Sequence, residues 1–345
     1  YHRYLDEWAL CDELGLNIMV NEHHTTATCT TSVCTIPMAI LARETKKARL
    51  LCLGMPIANR MDAVRVAEEY AMIDVISRGR LEMGFVKGAP FEVSPANSNP
   101  ATLMERFWEA HDLILKALTT HDGPFNWEGQ HFQYRQVNVW PRPYQQPHPP
   151  VWMTVASPGS AAEGGARGYV IASLNTGYLR TPDIFESYRK AAAGAGREAT
   201  RDRFAYLAIV GVGKTDEEGK RRAHQILDYS RTTPRAAAQF WFPPGYTANE
   251  VTAQKLHNRS PLMIPLRDGG EFEMQTGTVD EFVNAGVAFA GNPDTVFEQI
   301  KEFNEHVGGL GHLLMMGQGG HISHEDTVGN LTLFSQEVLP RLAAL

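Results

Sequence analysis

Strand and helix signals alternate along almost the whole chain, and this alternation narrows the possible folds more than any other feature. Apolar or β-branched runs suited to buried parallel strands occupy residues 16–21, 50–55, 81–86, 151–156, 169–174, 204–212 and 310–316. Helical periodicity fills the intervals. Residues 63–77 carry Val64, Ala67, Ala71 and Val75 on one face, with Glu68 and Glu69 opposite and Arg78-Gly79 as a stop. Further helices are predicted near residues 102–118, 181–193, 216–229, 293–307 and 325–339. Such a rhythm belongs to a parallel α/β architecture.

Seven strands are visible, and the chain opens inside an amphipathic helix over residues 3–14, with Tyr4, Trp8, Cys11 and Leu14 on its apolar side. A closed eight-stranded barrel would place its remaining strand ahead of Tyr1, whereas an open sheet would need none. Two segments break the rhythm. Residues 126–150 are rich in Pro, Gln and aromatics and cannot form a regular helix. Residues 230–277 form a long insertion containing Phe240, Trp241, Phe242 and Tyr246, of a length typical of binding loops and lids.

Of the 345 residues, 43% are hydrophobic, enough for a core that buries a cofactor. A formal charge of −7 argues against a nucleic-acid footprint. No apolar run approaches the ~20 residues that cross a bilayer, and no signal peptide is visible. Cys11, Cys29, Cys34 and Cys52 form no C-x-x-C pair, which fits free thiols in a reducing cytoplasm and no metal site.

Three constellations can carry chemistry. Asn21-Glu22-His23-His24 ends a strand, and the carboxyl ends of parallel strands form the active face of a barrel. An imidazole there suits proton transfer near neutral pH, although the cluster could equally tie the strand end to neighbouring backbone. Ala156-Ser157-Pro158-Gly159-Ser160 links a strand to a helix and offers hydroxyls and backbone N–H groups to a phosphate, or serves as an ordinary N-cap. Lys87, in Gly84-Phe85-Val86-Lys87-Gly88, ends another strand and is either a phosphate counter-charge or a solvated lysine.

Other patterns fail on inspection. Gly211-Val-Gly-Lys214-Thr215 has Ala208 where a phosphate loop needs glycine. No Gly-x-Gly-x-x-Gly follows a strand, so a dinucleotide site is not expected. His312, His321 and His324 lack an acidic partner at a metal-site spacing.

In order, Gly15 to His24, Ala67-Glu-Glu through Asp74, Ser77-Arg-Gly-Arg-Leu81, Trp140-Pro-Arg-Pro-Tyr-Gln-Gln-Pro-His-Pro-Pro150 and Phe334 to Pro340 resemble the bacterial-luciferase-like flavin monooxygenases over nearly the whole chain. The resemblance implies a (β/α)8 TIM barrel forming one domain, 1–345, with its first strand ahead of Tyr1 and a lid insertion at about 230–277. It implies that His23 acts as acid or base near the flavin. The turn Ala156, Ser157, Pro158, Gly159 and Ser160 would hold the FMN phosphate, assisted by Lys87 where luciferase has arginine. A non-proline cis peptide under the flavin ring would match Gly54-Met55.

The implied activity is monooxygenation of a small, apolar or aromatic substrate by reduced FMN and O2. A separate NAD(P)H:flavin reductase would supply the reduced flavin, and the chain would form a homodimer through helices 63–77 and 102–118. Alternatives are a deazaflavin (F420)-dependent hydride-transfer enzyme of the same fold and a non-catalytic flavin-binding protein. A barrel hydrolase using Glu22 and His23 would leave the Ser157–Ser160 turn unexplained.

Overall fold

The computed structural model of the protein describes residues 1–26, 29–232, 238–258 and 263–345. Its contacts divide the chain into two compact units: Asn17–Val151 with Arg235–Ser260, and Tyr1–Leu16 with Trp152–Pro234 and Pro261–Leu345. Every recorded pairing in the main sheet is parallel.

In the first unit, β1 (Ile18–Val20), β2 (Leu50–Pro56) and β3 (Leu81–Val86) pair with Ile18 beside Leu50 and Leu50 beside Leu81. All seven residues of β2 are buried, the pattern of a parallel strand covered on both faces. Helix Ala63–Ser77 starts on Asp62, whose carboxylate accepts from Arg65 N at 3.0 Å, and stops at Arg78 and Gly79, both left-handed. Its buried face is Val66, Ala67, Tyr70, Ala71 and Asp74. Val75, expected on that face, is 39% exposed together with Met72 and Ile76. Each i+4 step turns about 40° around the axis, so a row begun at Ala67 has left the core by Val75.

A helix absent from the sequence-based expectation, Thr35–Glu44, follows β1 and buries Met38 and Leu41. Residues 126–150 begin in the antiparallel hairpin Phe125–Glu128/Gln133–Val137 and continue through two cis prolines, Pro141 and Pro147. Gln145 anchors this stretch: its N–H and side-chain amide each donate to the buried Asp74 carboxylate at 2.8 Å, and its amide also reaches Leu81 O.

The second unit carries β4 (Val151–Val155), β5 (Val170–Leu174), β6 (Phe204–Val212), β7 (Ala288–Gly291) and β8 (His312–Met316). β6 is the hub. Phe204–Leu207 pair with β5, Ile209–Val212 with β7, and Ala205–Ile209 with β8. β7 went unread in the sequence because four residues, Ala-Phe-Ala-Gly, carry neither β-branching nor length. Asn330, fully buried, continues the β6 ladder by accepting from Val212 N at 2.6 Å and donating to Val210 O at 2.9 Å.

An aromatic core of Phe185, Tyr188, Phe204, Tyr206, Phe289 and Phe303 packs the helices onto this sheet. The predicted 325–339 helix is His324–Leu333 followed by a π-helical turn, Phe334–Val338. Within the 230–277 insertion, Ala238–Trp241 and Asn249–Asn258 are helical and Met263–Pro265 pairs with Glu271–Glu273. Among the described residues, no helix is long and apolar enough to cross a membrane.

Candidate functional site

His23 leaves the end of β1 with its N–H donating to Thr31 O at 3.2 Å. Its ring Nδ1 lies 3.0 Å from Oε1 of Glu92, and its side chain stays 37% exposed. Glu92 comes from a short helical turn, Pro90–Val93, just beyond β3, and its side chain is 1% exposed. The same carboxylate accepts the backbone N–H of His24 at 2.8 Å and of Ala89 at 2.7 Å. Burial pushes the Glu92 carboxyl up, but the His23 ring and the two amides outweigh it, and the group is held below the usual carboxylate range.

His24 turns to a different carboxylate. Its Nε2 lies 3.1 Å from Glu22 Oε1, while Glu22 Oε2 accepts from Arg60 Nη2 and Cys34 N, each at 2.9 Å. The two histidines therefore serve separate acids, His23 on Glu92 and His24 on Glu22. Sequence reasoning set Glu22 beside His23 and missed Glu92, which is 69 residues distant and sits in no motif.

The non-proline cis bond joins Leu53 and Gly54, one peptide earlier than the expected Gly54-Met55. Across a cis peptide the Cα atoms approach to ~2.9 Å, and the residue without a Cβ takes the crowded position. A Cβ on Gly54 would lie 2.0 Å from Val86 Cγ1, so β3 leaves room only for glycine there. Met55, fully buried, resumes the ladder opposite Phe85.

Lys87 donates from Nζ to Tyr246 O at 2.9 Å and lies 3.7 Å from the Tyr246 ring centroid. Burial lowers its pKa. Tyr246 OH in turn donates to Gly88 O at 2.6 Å. Trp241 packs on Phe91 with centroids 4.7 Å apart, and Phe91 lies 6.5 Å from the His23 ring. Part of the aromatic insertion thus rests on the segment that carries Lys87 and the partner of His23.

Ser157 caps helix Pro158–Arg167. Its Oγ accepts from Ser160 N at 3.3 Å, and Ser160 Oγ donates to Ser157 O at 2.9 Å. Ala156, Ser157, Pro158 and Gly159 are exposed. A Cβ on Gly159 would meet no atom within 4 Å, and its φ is not positive, so neither packing nor conformation calls for glycine. The turn and Lys87 fall in separate compact units.

The rejected patterns have local roles. Lys214 N donates to Glu218 Oε2 at the start of helix Asp216–Thr232. His312, His321 and His324 engage Asp202 O, Asp228 and Glu7 in turn, three separate partners.

The sequence pattern of the luciferase-like monooxygenase family matches residues 1–309. An F420-dependent glucose-6-phosphate dehydrogenase of Amycolatopsis mediterranei is 25% identical over 316 residues, covering 89% of this chain and 83% of that protein. The oxygenase component of a flavin-dependent trigonelline monooxygenase from Acinetobacter baylyi is 28% identical over 164 residues, 46% of this chain and 44% of that protein. The chain spans less than two thirds of the length of some curated relatives it matches, 62% in one case.

Among solved structures, the oxygenating constituent of 3,6-diketocamphane monooxygenase from Pseudomonas putida, a type II Baeyer-Villiger monooxygenase in complex with FMN, superposes with a TM-score of 0.77. It shares 22% identity over 98% of this chain and 91% of that one. That likeness concerns the fold, and it bears out the parallel (β/α)8 class read from the alternating strands and helices.

Proposed function

Because the chain belongs to the luciferase-like monooxygenase family, we propose that it is an FMN-dependent monooxygenase that oxidises a small, apolar or aromatic substrate with dioxygen. The observation that carries the cofactor assignment is the Ser157–Ser160 turn. It sets two hydroxyls and the first-turn N–H groups of a ten-residue helix at an exposed N-terminus, where the dipole favours an anion. Gly159 is compatible with that fit, since it adds no side chain beside the first-turn N–H groups. Bound reduced FMN would supply the electrons that activate dioxygen.

The chain's own residues do the rest. Ser157, Gly159 and Ser160 bind the phosphate. His23 holds and moves a proton beside the reacting centre, worth ~10²–10⁴-fold in rate. Phe91, packed against Trp241, presents apolar surface 6.5 Å from the His23 ring, which favours an apolar substrate. Trp241 and Tyr246 of the insertion rest on the segment that carries Lys87 and Glu92, which supports a lid over that segment.

A relative named as an oxygenase component supports supply of reduced flavin by a separate reductase. Exposed Met72, Val75 and Ile76 on helix Ala63–Ser77 support a homodimer through that face.

A second reading, hydride transfer with a deazaflavin and no oxygen, is favoured by the 89% coverage of the alignment to the F420-dependent relative. Turnover of a panel of apolar ketones and aromatics under 18O2 with FMN, NADH and a flavin reductase, set beside the same panel with a reduced deazaflavin and no oxygen, separates the two. Label in the product supports monooxygenation. Product formed at the same rate without oxygen contradicts it.

A further inference from the structure

We propose that Glu92 is the positioning residue of His23: it holds the ring proton on Nδ1 and leaves Nε2 as the atom that accepts a proton during turnover. The inference rests on the acid–base reading of His23 and assigns that role to one nitrogen. The geometry decides the tautomer. A carboxylate only accepts hydrogen bonds, so the 3.0 Å contact from Nδ1 to Glu92 Oε1 requires the hydrogen on Nδ1. Glu92 cannot follow the ring, because the backbone N–H groups of His24 and Ala89 fix its two oxygens. It is also desolvated, at 1% exposure, so its charge acts on the imidazole with little screening.

A cap for two amides is the competing explanation, but a cap needs no imidazole. Either carboxylate oxygen was free to face an amide alone, yet Oε1 serves both His24 N and the ring. The half-exposed ring edge that carries Nε2 has no recorded partner among the described residues, while Nδ1 is held.

The surrounding charged and titratable groups are few. Glu22 is occupied by His24, Arg60 and Cys34 N. The Cys29 thiol, raised by burial, lies by Thr31, the residue that accepts the His23 N–H. The Tyr246 phenol, pushed up to about 12 by burial and then by Glu92, stays neutral. Lys87 donates to Tyr246 O. Glu92 is thus the anion that faces the His23 ring.

The test uses the full chain labelled with 15N-histidine, in the wild type, in Glu92→Gln and in Glu92→Asp, with folding checked by circular dichroism. Wild-type His23 should show a protonated Nδ1 and a bare Nε2. Glu92→Gln keeps the shape but offers an amide and no charge. It should mix the tautomers and lower kcat more than it changes KM, since fewer rings then present a bare Nε2. Glu92→Asp should restore part of the wild-type behaviour.

A folded Glu92→Gln with the wild-type tautomer and wild-type kcat would reduce Glu92 to a cap and overturn the proposal. Should Glu92→Gln fail to fold, His23→Gln provides the reciprocal test: the Glu92 carboxyl, followed by 13C, must titrate at higher pH, and no change overturns the proposal. Failure of the acid–base reading is a separate result, full turnover in His23→Ala.

Discussion

Gly159→Ala separates a phosphate site from a helix cap, because only a phosphate site couples the new methyl to FMN affinity. The new methyl would meet no atom of the chain within 4 Å, and the backbone is in a region open to any residue. Replacing glycine under those conditions reduces the freedom of the unfolded chain and stabilises by about 0.4–1 kcal/mol. Cβ bonds in a helix tilt toward its N-terminus, so the methyl would project to the side from which an anion approaches the Ser157–Ser160 turn. If the phosphate contacts the first-turn N–H groups, the methyl should displace one charge-assisted hydrogen bond of about 1.5–3 kcal/mol, a roughly 10- to 150-fold weaker Kd for FMN.

Urea unfolding of the flavin-free protein and fluorescence titration with FMN measure the two quantities independently. Ser157→Ala is the companion variant. Its 3.3 Å cap bond to Ser160 N is long, so its stability cost belongs at the low end of the capping range, about 0.5–1 kcal/mol, while FMN affinity falls as for Gly159→Ala. A Gly159→Ala protein that is more stable and binds FMN as tightly as the wild type would refute the phosphate assignment.

Further outcomes are expected elsewhere. His23→Ala should lower oxygenation by at least ~100-fold with FMN binding retained, as the yield of oxygenated product in a reductase-coupled assay would record. His24→Ala should instead cost about 1–3 kcal/mol in urea unfolding, because it strips a partner from the buried Glu22 carboxylate. Glu92 is held below the usual carboxylate range, so it stabilises the fold above its unfolded value near pH ~4.3, and the contribution is lost as pH falls through the folded value. Urea midpoints should therefore drop less steeply on acidification in Glu92→Gln than in the wild type. Light scattering should give twice the 38.3 kDa chain mass, and Val75→Lys should halve it.

What could be read from the sequence was local. Strand runs such as residues 81–86 and 204–212, the helix 63–77 and the Ser-Pro-Gly-Ser turn each declare themselves within a few consecutive residues, and the structure reproduces them. What was missed needed tertiary information. The partner of His23 lies 69 residues away and is brought close by β1 and β3 both ending near β2. The cis bond lies one peptide from its expected place, and the reason Gly54 is glycine, the Val86 side chain, sits on another strand. β7 is too short to show periodicity, and it forms because β6 extends past β5 and leaves Ile209–Val212 to pair.

The central claim is that this chain binds reduced FMN and delivers its electrons to oxygen. Anaerobic titration with reduced FMN, followed by rapid mixing with oxygenated buffer, tests it most directly. The account predicts saturable binding that Ser157→Ala weakens, and oxygen-dependent reoxidation of bound flavin with kinetics distinct from free FMN and altered in His23→Ala. Failure to bind reduced FMN, with saturable binding of a reduced deazaflavin that oxygen leaves untouched, would contradict it.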